Sequence, residues 1–350
     1  MSSLTIALAS LGGVVLAGVV AHGAWQARKA GPKRAAPAPA DLEPREPVMG
    51  DALSGADDIG AANVPPPLPE RRPAKRAVQR LDALIDAIAT LTVEAPVAGA
   101  MALTHLPATR RAGGKPFLIE GLNSESGEWE PPASGQHYGE FQAGVLLANR
   151  TGALNEIEYS EFVQKVQDFA EGLGAMADFP DMLEAVATAR ELDAFAGQHD
   201  AQLAVHLRAR AAAWSVGYIQ QHAARHGFLP GVVPGRLVLP AAEEGAPPVL
   251  TMTFDSQAAL ADDPNLAAVR DVTLSFDVPQ THPSAQPFVA WQASAQALAL
   301  GMDAGIVDDD GRPLSTEGFA AIGNELGQLY DALAARDLEA GSPATRRLFS

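Results

Sequence analysis

One uninterrupted apolar run near the start of the chain constrains the sequence more than any other feature. Leu4–Trp25 reads LTIALASLGGVVLAGVVAHGAW, and no charged side chain occurs before Arg28. A helix rises about 1.5 Å per residue, so this run spans roughly 33 Å, enough to cross a hydrocarbon core of ~30 Å. Nothing else in the chain has an apolar run of this length. The sequence therefore predicts a single transmembrane anchor over residues 1–27.

The charges beside this run predict its orientation. Arg28, Lys29, Lys33 and Arg34 follow it, whereas the three residues before Leu4 include no Lys or Arg. Basic flanks stay in the cytoplasm, so we expect a single-pass membrane protein with its amino terminus outside and its body in the cytoplasm. A cleaved secretory signal is the alternative, but it requires a basic amino-terminal region and a shorter apolar core.

Residues 28–77 have the composition of a disordered linker rich in proline and alanine. They include GPKRAAPAPADLEPREP and VPPPLPERRPAKR, with few large apolar side chains. Such a segment cannot bury enough apolar surface to fold. Because proline makes it partly extended and semi-rigid, we expect it to hold the following domains away from the membrane.

The charge balance of the chain argues against nucleic acid as a partner. The net charge is −17, and residues 28–80 hold ten of the 25 basic residues with only seven acidic ones. Residues 81–350 therefore hold 15 basic and 35 acidic residues, a net charge of −20. Such a body repels nucleic acid, whereas the basic residues after the anchor can touch the membrane surface.

The apolar pattern after the linker predicts two domains of the α+β class, over residues 78–198 and 199–338. In the first domain, periodicity predicts three strands and then two helices, at 84–93, 116–122, 140–149, 156–177 and 180–195. In the second, it predicts strands at 202–208, 236–239, 249–255, 271–279 and 305–308, and helices at 213–226, 285–303 and 315–336. Ser315 is the expected cap of the last helix.

This order of elements indicates an antiparallel sheet with helices on one face. The first domain carries a looser version of the same elements, so it is a candidate degenerate repeat. Residues 339–350 are expected to form a flexible tail.

No motif in the sequence points to catalysis or metal binding. His222 and His226 have the spacing of zinc ligands, but HAARH lacks the glutamate of the HExxH motif. Gly113-Gly114-Lys115 is followed by proline, where a phosphate-binding loop needs Ser or Thr. The chain has no cysteine, which excludes disulfides and thiolate chemistry. We therefore expect no enzyme, no cofactor and no metal.

Several short motifs, taken together, resemble the ZipA-type proteins of bacterial cell division. At the anchor, the motif is Ala21-His22-Gly23-Ala24-Trp25 followed by Arg28-Lys29. In the second domain, the motifs are Val272-Thr273-Leu274 through Val278-Pro279, Gln296, Gly305-Ile306-Val307-Asp308-Asp309 and Ser315-Thr316. The order of anchor, proline-rich linker and C-terminal domain also matches the family. The resemblance covers the anchor and residues 200–336, and it leaves residues 81–195 unexplained.

The resemblance implies a non-enzymatic tether at the midcell division site. ZipA-type proteins bind the short C-terminal tail of FtsZ, the tubulin-like division GTPase, and so attach its filaments to the inner membrane. In the family, the tail lies in a shallow apolar groove on the sheet face that the helices leave open. The alternatives are a membrane-anchored scaffold for another peptide partner and a membrane-anchored enzyme. Self-association through Gly12, Gly13 and Gly18 of the anchor also stays open.

Two sheet faces are candidates for holding the tail. Strand alternation places a polar set on the open face of the second domain: Ala204, His206, Arg208, Thr251, Thr253, Thr273 and Ser275. Here His206 and Arg208 are expected to give local positive character. The strands of the first domain are apolar on both faces, so Ile88, Leu118 and Leu147 are expected on the side away from the helices, covered either by packing of the two domains or by the tail. Which domain contacts the tail stays open.

Overall fold

The computed structural model describes residues 79–243, 245–261, 263 and 267–350. The predicted anchor and the predicted linker lie outside these residues. Within the described part of the chain, no helix is both long and apolar enough to cross a membrane. The described residues have the α+β class, with two antiparallel sheets inside one compact unit.

The first lobe, residues 79–199, is an antiparallel sheet in the order β2-β3-β5-β1-β8, with β4 paired to β3. Its strands are β1 (Asp86–Ala98), β2 (Arg111–Ala112), β3 (Lys115–Asn123), β4 (Trp129–Glu130), β5 (His137–Leu146), β6 (Ala148–Asn149), β7 (Gly152–Ala153) and β8 (Met176–Asp178). Its helices are α1 (Gly99–His105), α2 (Glu156–Leu173) and α3 (Met182–His199). Strands β6 and β7 form a separate small hairpin.

The second lobe, residues 200–334, has the sheet order β10-β11-β12-β13-β9-β14. Its strands are β9 (Gln202–Ala209), β10 (Leu229–Pro230), β11 (Arg236–Leu239), β12 (Leu250–Thr253), β13 (Asp271–Asp277) and β14 (Ala304–Val307). Its helices are α4 (Val216–Arg225), α5 (Ser256–Ala259), α6 (Pro287–Met302) and α7 (Thr316–Ala334), with a 3₁₀ turn at Pro283–Ala285. A last helix, α8 (Pro343–Leu348), follows this lobe.

The two lobes share one topology. In each lobe, the opening strand of the sheet (β1 or β9) pairs on one side with the last sheet strand before the long central helix (β5 or β13). On its other side it pairs with the strand that follows that helix (β8 or β14). Another strand (β3 or β12) pairs on the far side of β5 or β13, and a long helix (α3 or α7) ends the pattern. This common order is what an internal repeat would produce.

Helices pack on one face of each sheet because that face is the apolar one. In the first lobe, Phe162 and Phe169 of α2 meet Phe117 and Phe141 of the sheet, with ring centroids 5.6 and 5.7 Å apart. In the second lobe, Trp291 of α6 is fully buried and donates a hydrogen bond to a sheet carbonyl at 2.9 Å. Burial of these rings fixes which face of each sheet stays open.

Polar residues at the helix starts explain where the helices begin. Asn155 and Glu158 form a capping box at α2, and Ser315 caps α7 as expected from the sequence. The structure places Pro180 before α3, whose cap is Asp181, rather than in its first turn. Gly174 ends α2 in the left-handed conformation, at φ 65°, which glycine adopts without strain.

The last twelve residues do not form the flexible tail that the sequence predicts. They include α8 and return to the first lobe, where Leu348 and Phe349 are 1% exposed within its core. Arg347 forms a bidentate pair with Asp86, with N–O distances of 2.6 and 2.7 Å. Gln280 of the second lobe also donates to the carbonyls of this segment. The segment therefore connects both lobes.

Candidate functional site

The open face of the second sheet carries the polar set that alternation predicts. The register pairs Thr273 with both His206 and Thr253, and it pairs Ser275 with both Ala204 and Thr251. Arg208 lies opposite Asp271 on the same face. The residues of this face alternate with buried apolar residues that meet the helices, so the face is a continuous polar surface.

The expected positive character of this face is neutralised. His206 lies between two carboxylates, with Nδ1 3.0 Å from Asp271 and Nε2 3.0 Å from Asp309 of the β14 hairpin. Arg208 donates from Nε to the other oxygen of Asp271 at 3.2 Å. Both predicted cations are therefore already paired within the chain, which corrects the expectation of local positive character on this face.

A pH-dependent stability follows from the position of His206. Burial lowers its pKa, but the hydrogen bonds and charges of Asp271 and Asp309 outweigh burial, so the pKa lies above the usual 6.5. The folded state thus holds the proton more tightly. We expect this stabilisation, about 0.5–1 kcal/mol, to be full below pH 6.5 and to disappear as pH rises through the folded-state pKa.

Urea unfolding of wild type and His206→Gln, at several pH values between 5.5 and 8.5, measures this contribution. The stability difference should be largest at the acid end and shrink toward pH 8.5. Asp310→Asn in the same hairpin is the matched control, because its carboxylate pairs with Arg312 instead. A difference that grows with pH would contradict the assignment.

A small polar cavity lies at one end of the second open face. Its volume is about 220 Å³, and Thr251 and Ser275 line it together with Arg150 of the first lobe. Arg150 is held by Asp200 and Asp277, at 2.6 and 2.7 Å. Two carboxylates already surround this guanidinium, so the cavity offers no uncompensated positive charge from Arg150.

The open face of the first sheet is different because it carries apolar side chains. Ile88 and Leu118 lie on either side of Gly144 in one row across β1, β5 and β3, and both are half-buried. The next row along the strands is polar, with Glu120 accepting a hydrogen bond from Gln142 at 2.9 Å. Because Gly144 has no side chain, the row between Ile88 and Leu118 is a shallow depression, and the side chain of Leu81 packs into it.

The prediction that Leu147 lies on the open face of the first sheet is wrong. Leu147 is 3% exposed and belongs to the core of the first lobe, not to the open face. The reason is that β5 ends at Leu146, where the chain turns into the β6 hairpin. The amide of Leu147 donates to Ile85, and its carbonyl accepts from Leu154 at 2.7 Å. The turn directs the side chain of Leu147 into the interior of the lobe.

Sequence reasoning missed the residues that border this depression. Leu81, just before β1, lies over Gly144, and Glu120 and Arg347 hold the backbone next to Leu81. Glu120 and Arg347 are 2% and 6% exposed. Their charged side chains gave no signal of burial in the sequence, since each gains its partners only through the tertiary fold.

Metal ligation and the glycine-rich segment are the remaining chemical features of the described residues. In that part of the chain, no three His, Asp or Glu side chains come together as metal ligands do. Lys115 of the glycine-rich segment is 1% exposed, and it donates to the side chains of Asn149 and Thr151 and the carbonyl of Gly152. It therefore fastens the β6–β7 hairpin. No family model matches this chain, and no curated protein matches it.

Proposed function

We propose that this chain is a cell-division tether that binds the C-terminal tail of FtsZ and links its filaments to the inner membrane. The apolar run before Arg28 would anchor the chain, and residues 28–77 would give the body reach. The two lobes would lie in the cytoplasm at midcell. Binding and not catalysis is the activity in this proposal.

The observation that carries the proposal is the apolar row on the open face of the first sheet. Ile88 and Leu118, on either side of the buried Gly144, are half-buried apolar side chains on a sheet face that α2 and α3 do not cover. The open face of the second sheet is polar, and its His206 and Arg208 are already paired. The first lobe therefore supplies the better surface for a short tail.

The size of this surface favours weak binding by each single tail. Two half-buried aliphatic side chains offer little apolar surface, and at roughly 25 cal/mol per Å² covering them contributes on the order of a few kcal/mol, before the cost of association. Such a contact is weak for one peptide. A filament presents many tails to many anchored chains, however, so the assembly gains strength through multivalency.

Recruitment of filaments to vesicles tests the proposal. The full chain is reconstituted in liposomes, and FtsZ from the same bacterium is polymerised with GTP. We expect FtsZ to sediment with these liposomes and tail-deleted FtsZ to remain in the supernatant. Liposomes without the chain are the control. Equal recruitment of both FtsZ forms, or of neither, would contradict a tail-dependent tether.

A further inference from the structure

We propose that the chain's own residues 79–82, called the strap below, occupy part of the tail-binding depression and compete with the tail. This inference rests on the proposed function, since it concerns regulation of that same site. The competitor is Leu81, and the depression is the row formed by Ile88, Gly144 and Leu118.

Leu81 occupies the space above Gly144 that a side chain at position 144 would take, and this space is called the seat. A Cβ atom placed on Gly144 would lie 2.4 Å from Cδ2 of Leu81, and 3.3 Å from both Cβ of Asp86 and Cγ1 of Ile88. The methyl group of Leu81 thus fills the space that any larger residue at 144 would take. This contact makes Leu81 the apolar anchor of the strap.

The strap's backbone is held by two buried charged side chains. The amide of Leu81 donates to Oε1 of Glu120 at 3.2 Å, and the carbonyl of Arg80 accepts from Nη1 of Arg347 at 2.9 Å. Gln142 and Asp86 fix the orientation of Glu120 and Arg347, respectively. The face therefore recognises an apolar side chain together with the amide and carbonyl groups beside it, which is peptide-binding chemistry.

The charge at this seat also indicates what kind of tail segment fits. Arg80 lies 3.5 Å from Glu120, so the strap presents a cation immediately before its apolar anchor. A tail segment with a large apolar residue next to Lys or Arg would reproduce both contacts. An acidic residue in that place would face Glu120 and be disfavoured. The occupant we assign is therefore a basic–apolar segment of the FtsZ tail.

Competition by the strap lowers the apparent affinity for the tail. The tail binds only the fraction of molecules whose seat is vacant, so its apparent affinity falls in proportion to that fraction. Leu81 is half-buried and is the only apolar side chain of residues 79–82. Truncating it should free the seat in most molecules without disturbing the sheet beneath it.

Titration of a fluorescent FtsZ tail peptide against the full chain in nanodiscs tests this inference. We expect Leu81→Ala to bind the peptide about fivefold more tightly than wild type. The matched control is Leu84→Ala, because Leu84 lies three residues beyond Leu81, outside the strap, is 46% exposed and should leave the affinity unchanged. Adding Gly144→Ala to Leu81→Ala should reverse the gain, because the new methyl group fills the seat.

The outcomes separate this inference from the proposed function. If the peptide binds wild type and Leu81→Ala with equal affinity, the tether stands and the competing strap is wrong. If the peptide binds neither protein, the proposed function fails and the inference with it. Hydrogen exchange at the Leu81 amide gives an independent readout, since saturating peptide should accelerate it by releasing the bond to Glu120. Unchanged exchange on peptide binding would also overturn the inference.

Discussion

Replacing Arg347 with methionine is expected to destabilise the folded chain by about 3–5 kcal/mol. The side chain of Asp86 is fully buried, that of Arg347 is 6% exposed, and the two make a bidentate pair. Burial raises the pKa of Asp86, and the hydrogen bonds from Arg347 oppose that rise. Without Arg347, the carboxylate is left uncompensated in the interior. The last segment also loses its bond to the carbonyl of Arg80.

Urea unfolding of a soluble fragment that begins at Pro69 measures this loss. Arg346→Met is the matched control: Arg346 pairs with the exposed Glu243 at 3.9 Å and donates to the carbonyl of Gln280 at 3.3 Å, so we expect a change of at most about 1 kcal/mol. Asp86→Asn combined with Arg347→Met should recover part of the stability, because no buried charge remains. The deficit of Arg347→Met should also shrink as pH falls, since protonated Asp86 needs no cation. Equal stabilities of the two methionine variants would refute the role of the pair.

The position of the last segment also decides which fragments can be used for binding. A fragment of residues 200–350 would carry Leu338, Leu348 and Phe349 without the first-lobe core that covers them. Arg347 would lack Asp86 as well. Weak tail binding by such a fragment would have two explanations: exposure of these three residues, and absence of the depression formed by Ile88, Gly144 and Leu118. Binding is better compared between point variants of the whole chain.

The principal strands and helices were predictable because their apolar residues repeat with the period of the element. Strand Arg236–Leu239 has the predicted bounds, and helix Thr316–Ala334 begins after the predicted cap, Ser315. Two-residue strands such as Arg111–Ala112 were missed because two residues establish no period. Helix Pro343–Leu348 was also missed. It is too short for an amphipathic pattern, and its salt bridge joins residues 261 positions apart.

The candidate site was predictable only in part. Alternation placed His206 and Arg208 on one strand face, but it gave no view of the carboxylates that neutralise them. Asp309 lies 103 residues from His206 in sequence, and Asp271 reaches His206 only through the pairing of β13 with β9. Ile88 and Leu118 were expected on the open face of the first domain, and the structure places both there. The contact of Leu81 with Gly144 could not be predicted from the sequence, because a glycine within a strand does not indicate which side chain packs over it.

On the proposed function, replacing Leu118 with lysine is expected to weaken binding of the FtsZ tail by more than tenfold, or at least about 1.4 kcal/mol. Leu118 is half-buried beside Gly144 on the open face, so lysine would put a hydrated charge where the tail's apolar side chain must pack. The effect on folding should be small because the substitution faces outward. The change therefore separates loss of binding from loss of structure.

Titration of the fluorescent tail peptide against wild-type and Leu118→Lys full chain in nanodiscs tests the central claim most directly. Ile157→Lys is the matched control, since it adds the same charge at a residue that is 81% exposed on α2, which packs against the opposite face of the sheet. The account predicts wild-type affinity for Ile157→Lys and a loss of more than tenfold for Leu118→Lys. Wild-type affinity for Leu118→Lys, together with loss in Thr273→Lys, would place the tail on the second sheet and contradict the account.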